Sequence, residues 1–300
     1  MVQTNSLKKV IVIVGPTGVG KTKLSIDIAK KYNGVVINAD QSQMHKLLNI
    51  GTAKITTEEM DGVTHYFIDT LDATSNYSIG DYQKEARDII DSLNELPIIV
   101  GGSGLYVDAL ITDYDLDVCK RDTKFEEKYK DYSNEELYEM LEKLNSEAAH
   151  KTHPNNRKRV LRYLEVVLEK GSIEKKENTP YYDALIFFIN QKREILYENI
   201  NKRCEQMFSM GWIDEVKSLM EQGIDISLIK EIGYYDIYRY INNEITKEEL
   251  IDKVKQDTRH YAKRQITWFK NKMNCIELIN DETINEKMYN YINNFLKGEK

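Results

Sequence analysis

The sequence predicts an α/β fold in which helices flank a mostly parallel sheet and a helical domain is inserted into the chain. Two observations carry this prediction. Over the first third of the 300 residues, apolar runs of strand length alternate with helical patterns, and a glycine-rich loop joins the first run to a helix. From about residue 117 charged residues dominate, and the apolar residues recur only at helical spacing.

Strands and helices alternate in the first third of the chain. Residues 10–14 are a continuous apolar run that predicts a buried strand, and apolar residues then recur every four positions from Leu24 to Tyr32, as in a helix. A second helix is predicted to begin at a capping box formed by Ser78 and Asp81. The further predicted strands are residues 35–37, 66–68, 98–100 and 184–189. Strands interleaved in this way with helices predict a mostly parallel sheet covered on both faces.

The middle of the chain predicts the helical insertion. Its apolar residues at helical spacing are Phe125, Tyr129, Leu137, Leu141, Leu144, Val160, Leu164 and Val167. Residues 172–180 are polar and indicate a linker. We therefore assign residues 1–116 and 181–300 to a core domain and residues 117–180 to an inserted helical domain. Helices rich in tyrosine and charge are predicted to complete the chain.

The composition is typical of a soluble globular protein, with 41% hydrophobic and 30% charged residues. No apolar run is long enough to cross a membrane, and the N-terminus lacks a signal-peptide pattern. The three cysteines include no CxxC pair, which disfavours a disulfide framework or a zinc site. We expect a cytoplasmic protein that does not bind membranes. A net charge of −7 disfavours nucleic acid on average, but the basic residues are clustered.

Residues 15–22, GPTGVGKT, match the phosphate-binding pattern G-x-x-x-x-G-K-[ST] between a strand and a helix. Backbone N–H groups of such a loop, together with the helix dipole, form an anion cradle. The predicted phosphate-site residues are Gly15, Pro16, Thr17, Gly18, Val19, Gly20, Lys21 and Thr22. Lys21 would supply a positive charge, and the Thr22 hydroxyl would hold Mg²⁺. The pattern specifies a diphosphate or triphosphate without specifying ATP, and its alternative is a tight turn with an idle lysine.

Asp40 follows the second predicted strand. Ligand groups of open α/β sheets lie at the carboxyl ends of the strands, so this carboxylate can accept a proton from a nucleophile or hold Mg²⁺ through water. The alternative is an aspartate that caps a turn. No strand clearly ends in the Asp of a Walker B motif, for which Asp69 is the nearest candidate, and no arginine-rich lid is seen. Both features disfavour ATP hydrolysis and phosphoryl transfer.

Two segments, residues 150–162 and 258–270, concentrate positive charge in this acidic chain. In the second segment, a packed helical stripe is predicted from Ile251, Val254, Thr258, Tyr261, Gln265 and Trp268. The cations Arg259, Lys263, Arg264 and Lys270 lie on or beside another stripe. Aromatic residues next to a cationic helix face suit RNA, through phosphate contacts and base stacking. The alternative is a solvated face balanced by nearby acids.

Taken together, these segments resemble the bacterial tRNA dimethylallyltransferases. The stretches that carry the resemblance are GPTGVGKT, Asn38-Ala39-Asp40 with Gln43, IGTAK at 50–54, GGSGLY at 101–106, His153-Pro154-Asn155, Ile232-Gly233-Tyr234 and TRHYAKRQITWF at 258–269. They occur in order from about residue 9 to 270. IGTAK and TRHYAKRQITWF are far more specific to the family than the phosphate loop.

The resemblance implies a P-loop kinase-like core with an inserted helical domain, and the tRNA anticodon arm between them. The loop would hold the diphosphate of dimethylallyl diphosphate rather than ATP. The N6 amine of the adenosine 3′-adjacent to the anticodon, in a base extruded from the stack, would attack the allylic carbon and release diphosphate. Mg²⁺ is the implied cofactor, the tRNA anticodon stem-loop is the implied partner, and we expect a monomer.

The resemblance also assigns roles to individual residues. The implied catalytic residues are Asp40, Thr17, Lys21 and Ser103, with Asp40 as the base at N6 and Thr17 in contact with the diphosphate. Ser103 stands where the family usually has Thr, near the extruded base. The implied tRNA contacts are Asp40, Gln41, Ser42, Gln43, Ser103, Lys158, Arg159, Arg162, Arg259, Lys263, Arg264 and Gln265.

The chain departs from the family pattern close to this predicted pocket. Gln41 and His45 stand where Ser and Tyr are usual, Tyr235 replaces Lys or Arg, and Ile55 replaces a common Pro. These departures leave a diverged paralogue open.

Other functions are also open from the sequence. A P-loop small-molecule kinase would need ATP turnover, and its lid is not seen. An adenylate isopentenyltransferase acting on free AMP would need neither the insertion nor the cationic C-terminal helix. A tRNA-binding protein without activity would not need Lys21, Thr22 and Asp40.

Overall fold

The computed structural model describes residues 7–75, 77–113, 123–170 and 179–298. The chain divides into two compact units, one formed by Met1–Thr112 with Pro180–Lys300 and the other by Asp113–Thr179. The insertion predicted from the sequence spans residues 117–180. Cys119 and residues 172–178 of the predicted linker lie outside the described residues.

A sheet of six parallel strands, counted over the described residues, forms the centre of the larger unit. The strands are β1 (Lys9–Val14), β2 (Gly34–Asn38), β3 (His65–Tyr66), β4 (Leu96–Gly101), β5 (Asp183–Asn190) and β6 (Ile276–Ile279). Their spatial order is β3-β2-β4-β1-β5-β6, and each neighbouring pair is parallel. The predicted parallel sheet is therefore confirmed.

Helices cover both faces of this sheet, which explains why β1 is apolar and buried at every position after Lys9. In the first half of the chain they are α1 (Lys21–Tyr32), α2 (Gln41–Met44), α3 (Thr57–Met60), α4 (Ile79–Ser92) and α5 (Gly104–Ile111). Alternate residues of a strand point to opposite faces. Ile11 and Ile13 accordingly join a buried cluster with α1 residues, whereas Val10, Val12 and Val14 join another with α4 and α5.

The smaller unit is helical and has a core of its own. Its helices are α6 (Thr123–Lys128), α7 (Asn134–Leu144), α8 (Ser146–His150) and α9 (Arg157–Lys170). Most of the apolar residues predicted at helical spacing pack together there, including Leu137, Leu141 and Leu164. Leu144 is the exception, because it is exposed.

The remaining helices belong to the larger unit and complete the chain. They are α10 (Arg193–Ser209), α11 (Trp212–Glu221), α12 (Tyr234–Ile241), α13 (Lys247–Lys272) and α14 (Ile284–Lys297). None of the helices in the described ranges combines the length and the hydropathy needed to span a membrane.

Local signals set several element boundaries. The capping box predicted for α4 is confirmed, since Ser78 and Asp81 exchange side-chain and backbone hydrogen bonds. The strand predicted at 66–68 is shorter than expected, because Phe67 and Asp69 adopt positive φ angles of 64° and 54° that end it. Strand β6 was not predicted. It has only four residues, alternately part-buried and exposed, and it lies at the edge of the sheet.

Candidate functional site

The polar segments singled out in the sequence meet at one edge of the sheet. The phosphate loop follows β1, Asp40 follows β2, and residues 102–104 follow β4. Strands β2 and β1 both pair with β4, and the Ala39 N–H donates to the Val100 carbonyl over 2.7 Å. Because parallel strands end at the same edge, the fold brings these segments together where α/β proteins bind ligands.

The glycines of the phosphate loop are required by its backbone. Gly18 and Gly20 have φ angles of 80° and 91°, a region that disfavours side chains. A Cβ on Gly15 would lie 2.4 Å from the Ile189 carbonyl oxygen. Gly20 directly precedes α1 and provides no side-chain cap, so the first turn of that helix presents backbone N–H groups to an anion.

Lys21 is folded into the loop that it follows. Its Nζ donates to the carbonyl oxygens of Gly15 and Pro16, both at 2.9 Å. Burial lowers the pKa of the Lys21 ammonium to about 8, although the Asp40 carboxylate acts to raise it and Arg203 lowers it further. An anion bound in the loop would favour the charged form of this lysine.

Arg203, on α10, was not predicted from the sequence, yet it belongs to this site. Its Nη1 donates to the Thr17 hydroxyl over 2.8 Å, across 186 residues of sequence. Burial lowers the pKa of its guanidinium, and the Asp40 carboxylate opposes that shift. No local motif marks this arginine, since only the packing of α10 beside the loop places it there.

Asp40 both caps a helix and faces the site. Its Oδ1 accepts a hydrogen bond from the Ser42 N–H at 3.2 Å, and the Asn38 side chain receives the Asp40 N–H at 3.0 Å. Asn38 is itself fixed, because its amide donates to the Phe67 carbonyl at 2.8 Å. The two interpretations of Asp40, as a turn cap and as a reactive carboxylate, are therefore compatible.

Gln265, which the resemblance implies as a tRNA contact, has a buried side chain that bridges two loops. The contact with tRNA stays a prediction. Its Oε1 accepts from the Thr17 N–H at 2.9 Å, and its Nε2 donates to the Gly102 carbonyl at 3.0 Å. A Cβ on Gly102 would lie 2.2 Å from that Nε2. The burial agrees with the packed helical stripe predicted for this segment.

Tyr261 lies on α13, about one turn before Gln265. It lines one cavity together with Ser103 and Asp40. Burial raises the pKa of the Tyr261 hydroxyl, and the nearby Asp40 carboxylate raises it further. Ser103, Tyr261 and Asp40 are thus held close together, with Ser103 preceding α5 and leaving that helix without a side-chain cap.

Two adjoining cavities open around these groups. The first, here called the loop cavity, has a volume of about 560 Å³ and is lined by Gly20, Lys21 and Thr22. The second, here called the acceptor cavity, has a volume of about 330 Å³ and is lined by Ser103, Tyr261 and apolar side chains. Thr17, Asp40, Arg203 and Met207 line both cavities. A ligand in one cavity would therefore lie against a ligand in the other.

The IGTAK segment is held by a carboxylate from α11. Glu215 accepts the backbone N–H groups of Asn49, Ile50 and Gly51 at 2.9, 2.7 and 3.2 Å, and the Tyr234 hydroxyl donates to it at 2.7 Å. This arrangement links IGTAK to the Ile232-Gly233-Tyr234 stretch. It also fixes one wall of the acceptor cavity, which Gly51 lines.

Gly51 and Gly233, one from each of these two stretches, both pack against the Trp212 side chain. A Cβ on Gly51 would lie 2.2 Å from Nε1 of Trp212, and a Cβ on Gly233 would lie 2.3 Å from Cη2 of the same ring. Trp212 is almost fully buried. Both glycines are therefore explained by close packing against one indole.

Replacing Glu215 by Gln should destabilise the protein. The change removes the charge that strengthens four hydrogen bonds, so we expect the free energy of unfolding to fall by about 1–3 kcal/mol. Urea unfolding measures this, with Glu221→Gln at the exposed end of α11 as the matched control. Equal stability of the two variants would show that Glu215 does not anchor the IGTAK segment.

Asp69, the nearest candidate for a Walker B aspartate, is paired with a lysine. The buried Lys54 ammonium contacts the Asp69 carboxylate and also donates to the His45 carbonyl at 2.6 Å and to Asn49 Oδ1 at 2.9 Å. Lys54 thus ties the IGTAK segment to its neighbours. This pairing gives Asp69 a structural role in place of the Walker B role.

The donor set near Thr22 can be tested against Mg²⁺. Within the described ranges, no group of three or more His, Cys, Asp or Glu side chains is arranged to hold a metal ion. Thr22 is exposed at the start of α1 and lines the loop cavity together with Asp40. Mg²⁺ commonly takes one or two protein oxygens and fills its remaining positions with phosphate and water. These residues therefore fit a Mg²⁺ that arrives with a diphosphate.

The cations of α13 are placed unequally. Lys263 and Arg264 are exposed, together with His260. Arg259 donates to Asn201 Oδ1 at 2.7 Å, and Lys270 pairs with Glu277 at 3.0 Å. A surface groove lined by His260, Lys263, Arg264, Thr267, Trp268, Asn271 and Lys272 runs along this helix. The exposed cations and the Trp268 indole suit a nucleic acid, through contacts with phosphates and stacking on bases.

The cations of α9 also divide into exposed and structural groups. Lys158 and Arg159 are exposed, and the Arg159 guanidinium contacts the Tyr163 hydroxyl at 3.2 Å. Arg162, also an implied tRNA contact, pairs at 2.7 Å with Glu165, whose side chain is buried. That ion pair indicates a structural role for Arg162 within the helical unit.

Comparisons with known proteins identify the family of the chain. A model of the IPP transferase family matches residues 43–272. The chain is 41% identical to a tRNA dimethylallyltransferase of Bacillus mycoides over 89% of this chain and 88% of that protein. It is 40% identical to a tRNA dimethylallyltransferase of Halalkalibacterium halodurans over 97% and 98% of the two chains.

Two solved structures are also similar to this chain. A full-length tRNA isopentenylpyrophosphate transferase from Bacillus halodurans has a TM-score of 0.75 at 38% identity, with 97% of each chain covered. A eukaryotic dimethylallyltransferase acting on tRNA has a TM-score of 0.86 at 28% identity, over 98% of this chain and 80% of that one.

Proposed function

The chain belongs to the IPP transferase family, and we propose that it modifies tRNA by moving a dimethylallyl group from dimethylallyl diphosphate to N6 of the adenosine 3′-adjacent to the anticodon. The observation that carries the proposal is the placement of Lys21, Arg203 and Asp40 around the loop cavity. Lys21 and Arg203 would stabilise the negative charge of the leaving diphosphate, and the Asp40 carboxylate would accept the proton of the attacking amine. As parts of the same proposal, the enzyme is cytoplasmic and monomeric.

The phosphate loop would hold the diphosphate of the donor. Cleavage of the allylic C–O bond places negative charge on the departing diphosphate, so fixed donors at this point lower the barrier. Those donors are the N–H groups at the start of α1, the Lys21 ammonium and the Arg203 guanidinium. The Thr17 N–H is not among them, because Gln265 already accepts it.

The acceptor side would hold the adenine. The N6 nitrogen forms the new bond to the allylic carbon as the C–O bond breaks, and the N6 proton passes to the Asp40 carboxylate. Ser103 and Tyr261 line the acceptor cavity beside Asp40 and offer hydroxyl groups to the base. A cavity of about 330 Å³ suits a single extruded base.

We propose Mg²⁺ as the cofactor, held by the Thr22 hydroxyl and by the diphosphate itself. When bound, the ion would neutralise charge on the diphosphate and so make it a better leaving group. Thr22 is the protein ligand in this proposal because it lines the loop cavity together with Lys21.

The exposed cations of α13 support tRNA as the partner. We expect affinity for an anticodon stem-loop to fall as salt rises, with each phosphate contact adding about 0.7–0.9 to the slope of log K against log salt. Lys263→Ala should weaken binding and reduce the slope by about 1. Lys253→Ala is the control, because that lysine lies on the same helix but pairs with Asp257. A flat salt response would contradict an RNA surface on α13.

Isotope transfer tests the proposed reaction. Labelled dimethylallyl diphosphate and Mg²⁺ would be incubated with the protein and an anticodon stem-loop, with AMP and ATP in parallel reactions. We expect label in the RNA. Label in AMP alone would identify an adenylate isopentenyltransferase. ATP consumption without label transfer would identify a small-molecule kinase.

A further inference from the structure

We propose that Asn280, in the corner between β6 and α14, is a positioning residue for the diphosphate-binding loop. Its Nδ2 donates to the Val19 carbonyl in that loop over 2.7 Å. Because a carbonyl only accepts, the nitrogen of the amide must face Val19, which fixes the orientation of the side chain. Both Val19 and Asn280 lie outside residues 43–272, the part matched by the family model.

The corner that carries Asn280 is itself well anchored. The Asn280 N–H donates to the Asn190 carbonyl at 2.9 Å, and Nε2 of the Gln191 side chain donates to the Asn280 carbonyl at 2.7 Å. Strand β6 also pairs with β5, whose last residue is Asn190. The end of the sheet thus provides a fixed support from which the Asn280 side chain reaches the loop.

The hydrogen bond determines where one loop amide points. In a planar trans peptide unit, the C=O and the N–H point in opposite directions. Asn280 holds the Val19 carbonyl, so the N–H of Gly20 in the same peptide unit is turned away from Asn280. Gly20 lines the loop cavity, which is where that N–H would meet a phosphate oxygen.

The surroundings of Gly20 strengthen this assignment. Gly20 has a φ of 91°, and a Cβ there would lie 2.9 Å from Asn280 Nδ2. The hydrogen bond from Asn280 to Val19 and the glycine at position 20 therefore depend on each other. A donor at position 280 is needed to keep the peptide unit in this orientation, whereas a carboxylate there would face the carbonyl and add negative charge near the bound anion.

The inference rests on the proposed diphosphate site, and binding of inorganic diphosphate with Mg²⁺ tests it without any prenyl transfer. By calorimetry we expect Asn280→Ala to bind diphosphate about 3- to 10-fold more weakly, as for one lost hydrogen bond. Asn280→Asp should bind roughly 100-fold more weakly, because like charges oppose each other. The KM for dimethylallyl diphosphate should rise in parallel.

The control is Asn293→Ala, which makes the same change in α14 at an asparagine that contacts Tyr32. It should bind diphosphate as the unmodified protein does, and melting temperatures of all variants are compared alongside. Diphosphate binding by Asn280→Ala and Asn280→Asp at the unmodified affinity would overturn the inference, whatever their melting temperatures. If the unmodified protein failed to bind diphosphate, the proposed function would fail with it.

A second measurement needs no variant. Hydrogen exchange at the Gly20 amide should be fast in the free protein and slow when diphosphate and Mg²⁺ are bound. Unchanged exchange at Gly20 in the presence of bound diphosphate would show that this N–H is not a donor to the anion, and the inference would be wrong.

Discussion

Asp40→Asn should reduce the rate of prenyl transfer by roughly 10²- to 10⁴-fold, the usual effect of losing a positioned base. The exocyclic amine of adenine is a poor nucleophile, and the carboxylate would accept its proton as the new bond forms. An asparagine keeps the oxygen that accepts the Ser42 N–H, so the turn after β2 should be preserved. The loss is therefore expected in kcat, measured by single-turnover transfer to an anticodon stem-loop.

Diphosphate binding separates this chemical role from a structural one. Burial lowers the pKa of both Lys21 and Arg203, and the Asp40 carboxylate opposes that shift at each of the two cations. Removing that charge makes the loop cavity more positive, so Asp40→Asn should bind diphosphate at least as tightly as the unmodified protein. Retention of more than about a tenth of the rate would contradict the assignment of Asp40 as the base.

The sequence predicts those parts of the site that depend on neighbours along the chain. The phosphate loop and Asp40 each follow a recognisable strand, and parallel pairing brings the ends of those strands together. Their meeting point could be predicted because topology, rather than individual side-chain packing, determines it. The capping box at Ser78 could be predicted for the same reason, since both partners lie within one turn.

Contacts between distant segments could not be predicted in this way. Glu215 binds the backbone of residues 49–51, and nothing in the α11 sequence marks it for that role. The two hydrogen bonds of Gln265 are a further example. Helical periodicity predicts a packed residue there, which the structure confirms, but it does not identify the two loops that the side chain bridges.

Arg203→Ala should reduce kcat by roughly 10²- to 10³-fold, comparable to the loss of one preorganised donor at a developing anion. Its guanidinium lies against Thr17 and lines both cavities, so it is close to the point where the donor and acceptor would meet. Part of the loss should be offset, because Arg203 lowers the pKa of Lys21 and its removal favours the charged lysine. Arg203→Lys should recover only part of the rate, because an ammonium lacks the forked donors of a guanidinium.

Arg193→Ala is the matched control, since Arg193 is exposed at the start of the same helix and contacts the Tyr197 ring. It should leave transfer nearly unchanged. The decisive comparison is between kcat and KM for dimethylallyl diphosphate in Arg203→Ala. A rise in KM at constant kcat would mean that Arg203 binds the ground state and the transition state equally, and the proposed role in diphosphate departure would then be wrong. A fall in kcat would place the guanidinium on the charge that develops as the C–O bond breaks.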